Sequence, residues 1–221
     1  MSFAGLIFDF NGTMFFDTPY HVEAFDKLSM EICGKHVTLE MMESVFAGKP
    51  NVEIFKIMSE GRFSLEECEA YSRRKEAMYR EAVRRDNPSL APGLCGFFDY
   101  LKGKGIPFTI ASASIIENIT FFREIFHLDQ WINPDAIVYD DGSYKDKVQM
   151  FLDAKARLNV EGSMLVFEDS LSGIDCSYKA GMQAVIIDRP VLRSYYDRYP
   201  HILAFIDDYR DFIPKFEKLN R

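Results

Sequence analysis

The sequence predicts an α/β fold: a doubly wound parallel sheet with a second, helical unit inserted after its first strand. Three observations carry this. Five short apolar runs, rich in Ile, Val and Phe, lack the polar alternation of a half-exposed strand and so suit a sheet buried on both faces. Helical periodicity separates the last four of them, as strand–helix–strand crossovers require. Between the first run and the second lies a long stretch with helical spacing and no strand-like segment.

In chain order, the first strand is Gly5–Phe8. The inserted unit follows, over residues 16–86, with apolar residues at three- and four-residue spacing in Pro19–Ile32, Leu39–Phe46, Asn51–Glu60 and Leu65–Arg85. Gly34, Gly48-Lys49-Pro50 and Gly61 break these segments from one another, and Asn87-Pro88 and Ala91-Pro92-Gly93 close the insertion. The core therefore comprises residues 1–15 and 87–221. It resumes with a helix at Leu94–Lys104, a strand at Pro107–Ala111 and a helix at Ile116–Phe126. A strand at Ala136–Tyr139, a helix at Val148–Leu158, a strand at Met164–Phe167, a helix at Gly173–Ala180 and a strand at Ala184–Ile187 complete the alternation. From Asp188 onward the tail reads as a polar aromatic stretch and a final helix near Asp208–Lys218, packed on the core. In a sheet of this type the ligand belongs at the carboxyl ends of the strands.

Composition narrows the function. The chain has 221 residues, 48% hydrophobic and 27% charged, enough for a core that needs no disulfide or metal staple. A formal charge of −8 speaks against nucleic acid, since no basic field replaces the phosphate counterions. An anionic substrate would need positive charge concentrated at the site itself. Cys33, Cys68, Cys95 and Cys176 are scattered without zinc or redox spacing, and reduced core thiols are expected. The first residues lack a basic signal-peptide start and no apolar run reaches membrane-spanning length, so a cytoplasmic protein without a membrane partner is expected.

Four strand ends carry groups with chemistry. Ile7-Phe8-Asp9-Phe10-Asn11-Gly12-Thr13 ends an apolar strand in a carboxylate. Such a group is ionised at neutral pH and can attack phosphorus without a general base. Ala111-Ser112-Ala113-Ser114 ends the second strand in small hydroxyls before a helix start, a setting that binds phosphate oxygens. Lys145 and Lys147 follow the Asp140-Asp141-Gly142 turn beyond the third strand. Phe167-Glu168-Asp169-Ser170 ends the fourth in adjacent carboxylates, which repel unless a cation joins them. With oxygen ligands and no His or Cys nearby, Mg²⁺ suits them better than zinc. Each motif alone has an ordinary explanation as a turn or a helix cap. Four complementary groups in this order, all on one sheet edge, point to a site.

This order resembles the haloacid dehalogenase superfamily over nearly the whole chain, in the helical-cap, beta-phosphoglucomutase-like branch. Its first motif, DxDGT, is here Asp9-Phe10-Asn11-Gly12-Thr13; the second-motif hydroxyl falls on Ser112, and the fourth motif on Glu168-Asp169-Ser170-Leu171-Ser172-Gly173. The resemblance implies a Rossmann-like core with an inserted helical cap, and a phosphatase acting on a small phosphorylated metabolite, a sugar phosphate, through an aspartyl-phosphate on Asp9. It implies that Asp9, the Asn11 carbonyl, Glu168 and Asp169 hold Mg²⁺, and that Ser112 and Lys145 hold the transferring oxygens, with Lys147 the alternative lysine. Thr13 and Ala113, with His21 and Lys75 of the cap, are implied on the substrate side. A monomer is expected, since a cap must open and close.

One departure bears on mechanism. Asn11 stands where the family's general acid/base Asp is placed, and an amide cannot exchange a proton at neutral pH. Two other readings therefore stand beside the phosphatase: a sugar phosphomutase, which needs proton transfer in both half-reactions, and a phosphometabolite-binding protein that has lost turnover.

Overall fold

The computed structural model describes residues 2–46, 48–194 and 198–221. Its elements are β1 (Phe3–Phe8), α1 (Thr18–Cys33), α2 (Leu39–Glu43), α3 (Asn51–Met58), α4 (Leu65–Asp86) and α5 (Leu94–Gly103). Then come β2 (Phe108–Ser112), α6 (Ile116–Ile125), β3 (Val138–Tyr139), α7 (Lys147–Leu158) and β4 (Ser163–Glu168). The chain ends with α8 (Leu171–Lys179), β5 (Gln183–Ile187), α9 (Pro190–Arg193), β6 (Ile202–Ile206) and α10 (Phe212–Leu219). Two compact units result: residues up to Phe16 with Ser89–Arg221, and Asp17–Pro88.

The first unit is built on a six-stranded parallel sheet in the order β3-β2-β1-β4-β5-β6. Neighbouring residues of one strand show why it is covered on both sides. Ile7 and Val166 join Ala111 and Val138 against Met150, Phe151 and Ala154 of α7. Phe8 and Phe167, one position on, turn to the other face and stack with ring centroids 4.5 Å apart. There they meet Phe97 of α5 and Phe212 of α10. Fully buried rings of this size contribute ~1.5–3 kcal/mol each, so this aromatic layer is a principal anchor of the sheet.

Two expectations for the sheet are corrected. Of the run 136–139, only Val138–Tyr139 pairs, because Pro134–Ala136 forms a 3₁₀ turn ahead of it. The tail holds a sixth strand, β6, along the free side of β5. Ile202–Ile206 is an uninterrupted apolar run beside an aromatic, polar stretch, and as an edge strand its middle residues are only half-buried. Part of that stretch, residues 195–197, lies outside the described residues.

The order of strands reverses between β1 and β4, which lie side by side with Phe8 opposite Phe167. The pairing runs one step past β1, where the Asp9 amide donates to the Phe167 carbonyl at 3.0 Å. Asp9 is thereby delivered beside Glu168 at the switch point of the sheet, where α/β folds of this type bind their ligands.

In the helical unit, α4 begins with a capping box in which Ser64 and Glu67 satisfy each other's backbone amides. Phe25, Leu28, Phe46, Ile54, Phe55, Met58 and Cys68 form its core. Arg74–Glu31 and Arg85–Glu23 pairs tie α4 to α1. Among the described residues no helix is long and apolar enough to cross a membrane. Cys68 and Cys176 are buried thiols as expected, but Cys95 is exposed.

Candidate active site

Asp9 is 5% exposed, Glu168 0% and Asp169 7%. Their carboxylate oxygens gather within 4.8 Å of one another, an all-oxygen cluster of the kind a hard divalent cation takes. Two glycines make room for it. Gly12 has φ +75°, and a Cβ there would lie 2.0 Å from Asp169 Oδ2. On Gly173, in the first turn of α8, a Cβ would lie 1.9 Å from the Glu168 carboxyl carbon.

Glu168 is tightly held. Its Oε2 accepts from the Asp169 amide at 3.0 Å, the Ser170 amide at 3.3 Å and the Ser170 hydroxyl at 3.0 Å. Its Oε1 accepts from the Lys147 ammonium, which also donates to Asp9 Oδ1 at 2.7 Å. Arg189, two residues beyond β5, donates to Asp169 Oδ2. Burial pushes the Asp9 carboxyl well above its ordinary range; Lys147 opposes this, while Glu168 and Asp169 add to it. Burial alone would lower the Lys147 ammonium, but Asp9 and Glu168 hold it well above its usual value. Three carboxylates thus face one ammonium and one guanidinium, and a dication would offset both the burial and the repulsion that hold the Asp9 carboxyl up. The donor set fits Mg²⁺.

The second strand brings its hydroxyls to the same edge. Ser112 is buried, and its Oγ accepts from the Ser114 amide at 3.2 Å. Ser114 Oγ in turn donates to Asn11 Oδ1 at 2.6 Å, fixing the amide oxygen toward β2. Ala113 is exposed beside them.

One expectation about an individual residue changes. Lys145 is exposed, with its backbone amide on Gln149 Oε1 at 2.9 Å, and Lys147 is the lysine at Asp9. Asp146 decides this: its side chain caps α7, so Lys147 becomes the first helical residue and its side chain reaches the carboxylates. Thr13 is fully buried, with no partner for its hydroxyl among the described residues. Lys75 is 1% exposed. It contacts His21 Nδ1 at 2.7 Å and Glu76 Oε1 at 2.8 Å, over the ring of Phe25. His21 Nε2 reaches Asp17 Oδ2 at 3.1 Å, and the Tyr79 hydroxyl donates to the same oxygen at 2.7 Å. His21 and Lys75 are thus brought together, and burial lowers the Lys75 ammonium.

The profile of the haloacid dehalogenase-like hydrolases matches residues 3–177. The chain belongs to that family. It is a hydrolase, and its sheet carries Asp9 and the Glu168-Asp169 pair at adjacent strand ends. A probable pseudouridine-5'-phosphatase of Drosophila melanogaster is 26% identical over 95% of this chain and 91% of its own. A phosphorylated carbohydrates phosphatase of Thermotoga maritima is 24% identical over 81% of this chain and 82% of its own. Among solved structures, a family IA, variant 3 haloacid dehalogenase hydrolase from Entamoeba histolytica superposes with a TM-score of 0.86. It is 28% identical, covering 96% of this chain and 95% of that one. A beta-phosphoglucomutase from Clostridium difficile shares the fold at TM-score 0.78 and 21% identity, covering 99% and 96% of the two chains.

Two residues of the site were missed from sequence. Ser114 was legible as a hydroxyl beside Ser112, but its bond to Asn11 joins strand ends 103 residues apart. Arg189 carries the same signal as Asp9, a charged residue just beyond an apolar strand end, but within the tail.

Proposed function

We propose that this hydrolase is a Mg²⁺-dependent phosphatase acting on a small phosphorylated metabolite, a sugar phosphate, through an aspartyl-phosphate on Asp9. The observation that carries this is the Lys147 ammonium bridging Asp9 and Glu168 inside a buried three-carboxylate cluster at the switch point of the sheet. The names of the Drosophila and Thermotoga relatives support a phosphorylated, sugar-containing substrate.

Asp9, Asp169, the Asn11 carbonyl and Glu168 are the groups that would hold the ion. Bound there, Mg²⁺ supplies the positive charge that lets a carboxylate approach a phosphate dianion. Asp9 attacks phosphorus, a P–O bond to Asp9 forms, and the bond to the leaving oxygen breaks. Water then attacks the same phosphorus, returning the Asp9 carboxylate and releasing inorganic phosphate. Lys147 and Ser112 stabilise the charge on the transferring oxygens. The helical unit is assigned the role of cap and the choice of substrate.

Asn11 sets the pace of both half-reactions. Its amide oxygen already accepts from Ser114 Oγ, and it has no proton to give the leaving oxygen or to take from water. The missing general acid–base help is worth ~10²–10⁴ in rate, so turnover is slow and favours substrates with good leaving groups. Asn11 also favours a second reading, a phosphometabolite-binding protein without turnover. Phosphate release from a panel of phosphorylated sugars and nucleotides, with Mg²⁺ or with chelator, tests both. Mg²⁺-dependent release that vanishes in Asp9→Asn supports the phosphatase. Tight binding without release supports the second reading.

A further inference from the structure

Lys147 compensates Asp9 and Glu168, and the third carboxylate has a cation of its own. Arg189 Nη2 donates to Asp169 Oδ2, the oxygen turned toward the backbone of the Asp9–Thr13 loop. A Cβ on Gly12 would meet that oxygen at 2.0 Å and Arg189 Nη2 at 2.8 Å, so both groups rest on the glycine. The two cations are held differently. The Lys147 side chain is 14% exposed and bridges two carboxylates, whereas Arg189 is 38% exposed and touches only Asp169 within the cluster. Arg189 can therefore leave for solvent, and Lys147 cannot without stranding two buried charges.

We infer that Arg189 is a positioning residue that occupies Asp169 in the metal-free enzyme and yields that carboxylate to the incoming divalent cation, so that it sets the apparent Mg²⁺ affinity. This rests on Asp9, Glu168 and Asp169 being the Mg²⁺ cradle proposed above. The physical reason is competition. A guanidinium and a dication on one carboxylate repel, and at a separation of about 5 Å that repulsion is worth roughly tenfold in binding even at the dielectric constant of water. A weakly hydrated, planar guanidinium is also well suited to hold a carboxylate while the cation is absent. The site is thus kept folded and neutralised when empty, and metal affinity is given up for that.

Isothermal titration of MgCl₂ into the full, chelator-treated chain in phosphate-free buffer tests this, alongside the melting temperature of each metal-free protein. Arg189→Gln is expected to bind Mg²⁺ about tenfold tighter and to melt earlier when metal-free. Arg189→Lys keeps the charge on a shorter arm and falls between Arg189→Gln and the native chain in both. Placed on Asp169→Asn, Arg189→Gln changes the affinity no further. Unchanged or weaker Mg²⁺ binding by Arg189→Gln overturns the inference, and weaker binding would make Arg189 an aid to the metal. Native-like Mg²⁺ affinity in Asp169→Asn alone would instead overturn the cradle itself.

Discussion

Replacing Lys147 by Met keeps the length of the side chain and removes its charge. The ammonium lies 2.7 Å from Asp9 Oδ1 and against Glu168 Oε1, on side chains only 7% and 0% exposed. Stranding buried charges by deleting their partner costs ~3–5 kcal/mol, and at ~2–4 °C per kcal/mol for a chain of this size the melting temperature should fall by about 6–20 °C. Calorimetry of the chelator-treated protein at near-neutral pH measures this. The deficit has a defined pH dependence. Burial already raises the Asp9 carboxyl, and Lys147 is what opposes that rise. Without Lys147 the folded-state value climbs further above the unfolded one, so folding takes up a proton over that interval and the deficit narrows as pH falls. Lys145→Met is the control: the residue is exposed and its stability effect should stay within ~0.5 kcal/mol. Lys147→Met should also lose ~10²–10³ in kcat, with Lys145→Met near native. A Lys147→Met melting temperature within about 2 °C of native, or a greater loss of activity in Lys145→Met, would refute the assignment of this lysine.

Other outcomes follow from the same geometry. Asp9→Asn should abolish Mg²⁺-dependent phosphate release, and retained turnover would remove Asp9 as nucleophile. Asn11→Asp should raise turnover on a sugar phosphate more than on an aryl phosphate, because only the poor leaving group needs a proton; equal gains would exclude that role for position 11. Gly173→Ala would drive a methyl to 1.9 Å from the Glu168 carboxyl carbon. A loss of ~1–3 kcal/mol on denaturant unfolding should follow, and a neutral result would show that Glu168 has room to shift. His201 is buried against Ser177, and burial holds its imidazole below its ordinary value of 6.5. The neutral ring is the folded form, so its stability contribution is present above about pH 6.5 and is lost as pH falls through the folded-state value. Urea unfolding should therefore show a steeper acid-side loss in the native chain than in His201→Gln.

Legibility differed by element. The long helices and the first five strands could be read because each carries its period within a single segment. Asn51–Met58, for example, is bounded by Pro50 before it and the Glu60-Gly61 turn after it. β6 carries the same signal, the uninterrupted apolar run Ile202–Ile206, although as an edge strand its middle is only half-buried. Asp9, Ser112, Glu168 and Asp169 were legible as polar groups at the ends of apolar strands. Lys147 was not separable from Lys145, because their difference is set by where Asp146 starts the helix. The resemblance implies Lys75 on the substrate side, and only the structure shows its contacts with Phe25, His21 and Glu76.

The sequence by itself determined the α/β class, the helical insertion and the polar groups at the ends of the apolar strands. These are local properties of residue type and spacing. Tertiary structure alone decided which lysine meets Asp9, that Ser114 turns Asn11 toward β2, and that Arg189 answers Asp169. Those contacts join residues 138, 103 and 20 positions apart in the chain. They exist because a parallel sheet brings the ends of separate strands to one edge, where burial turns nearby charges into partners.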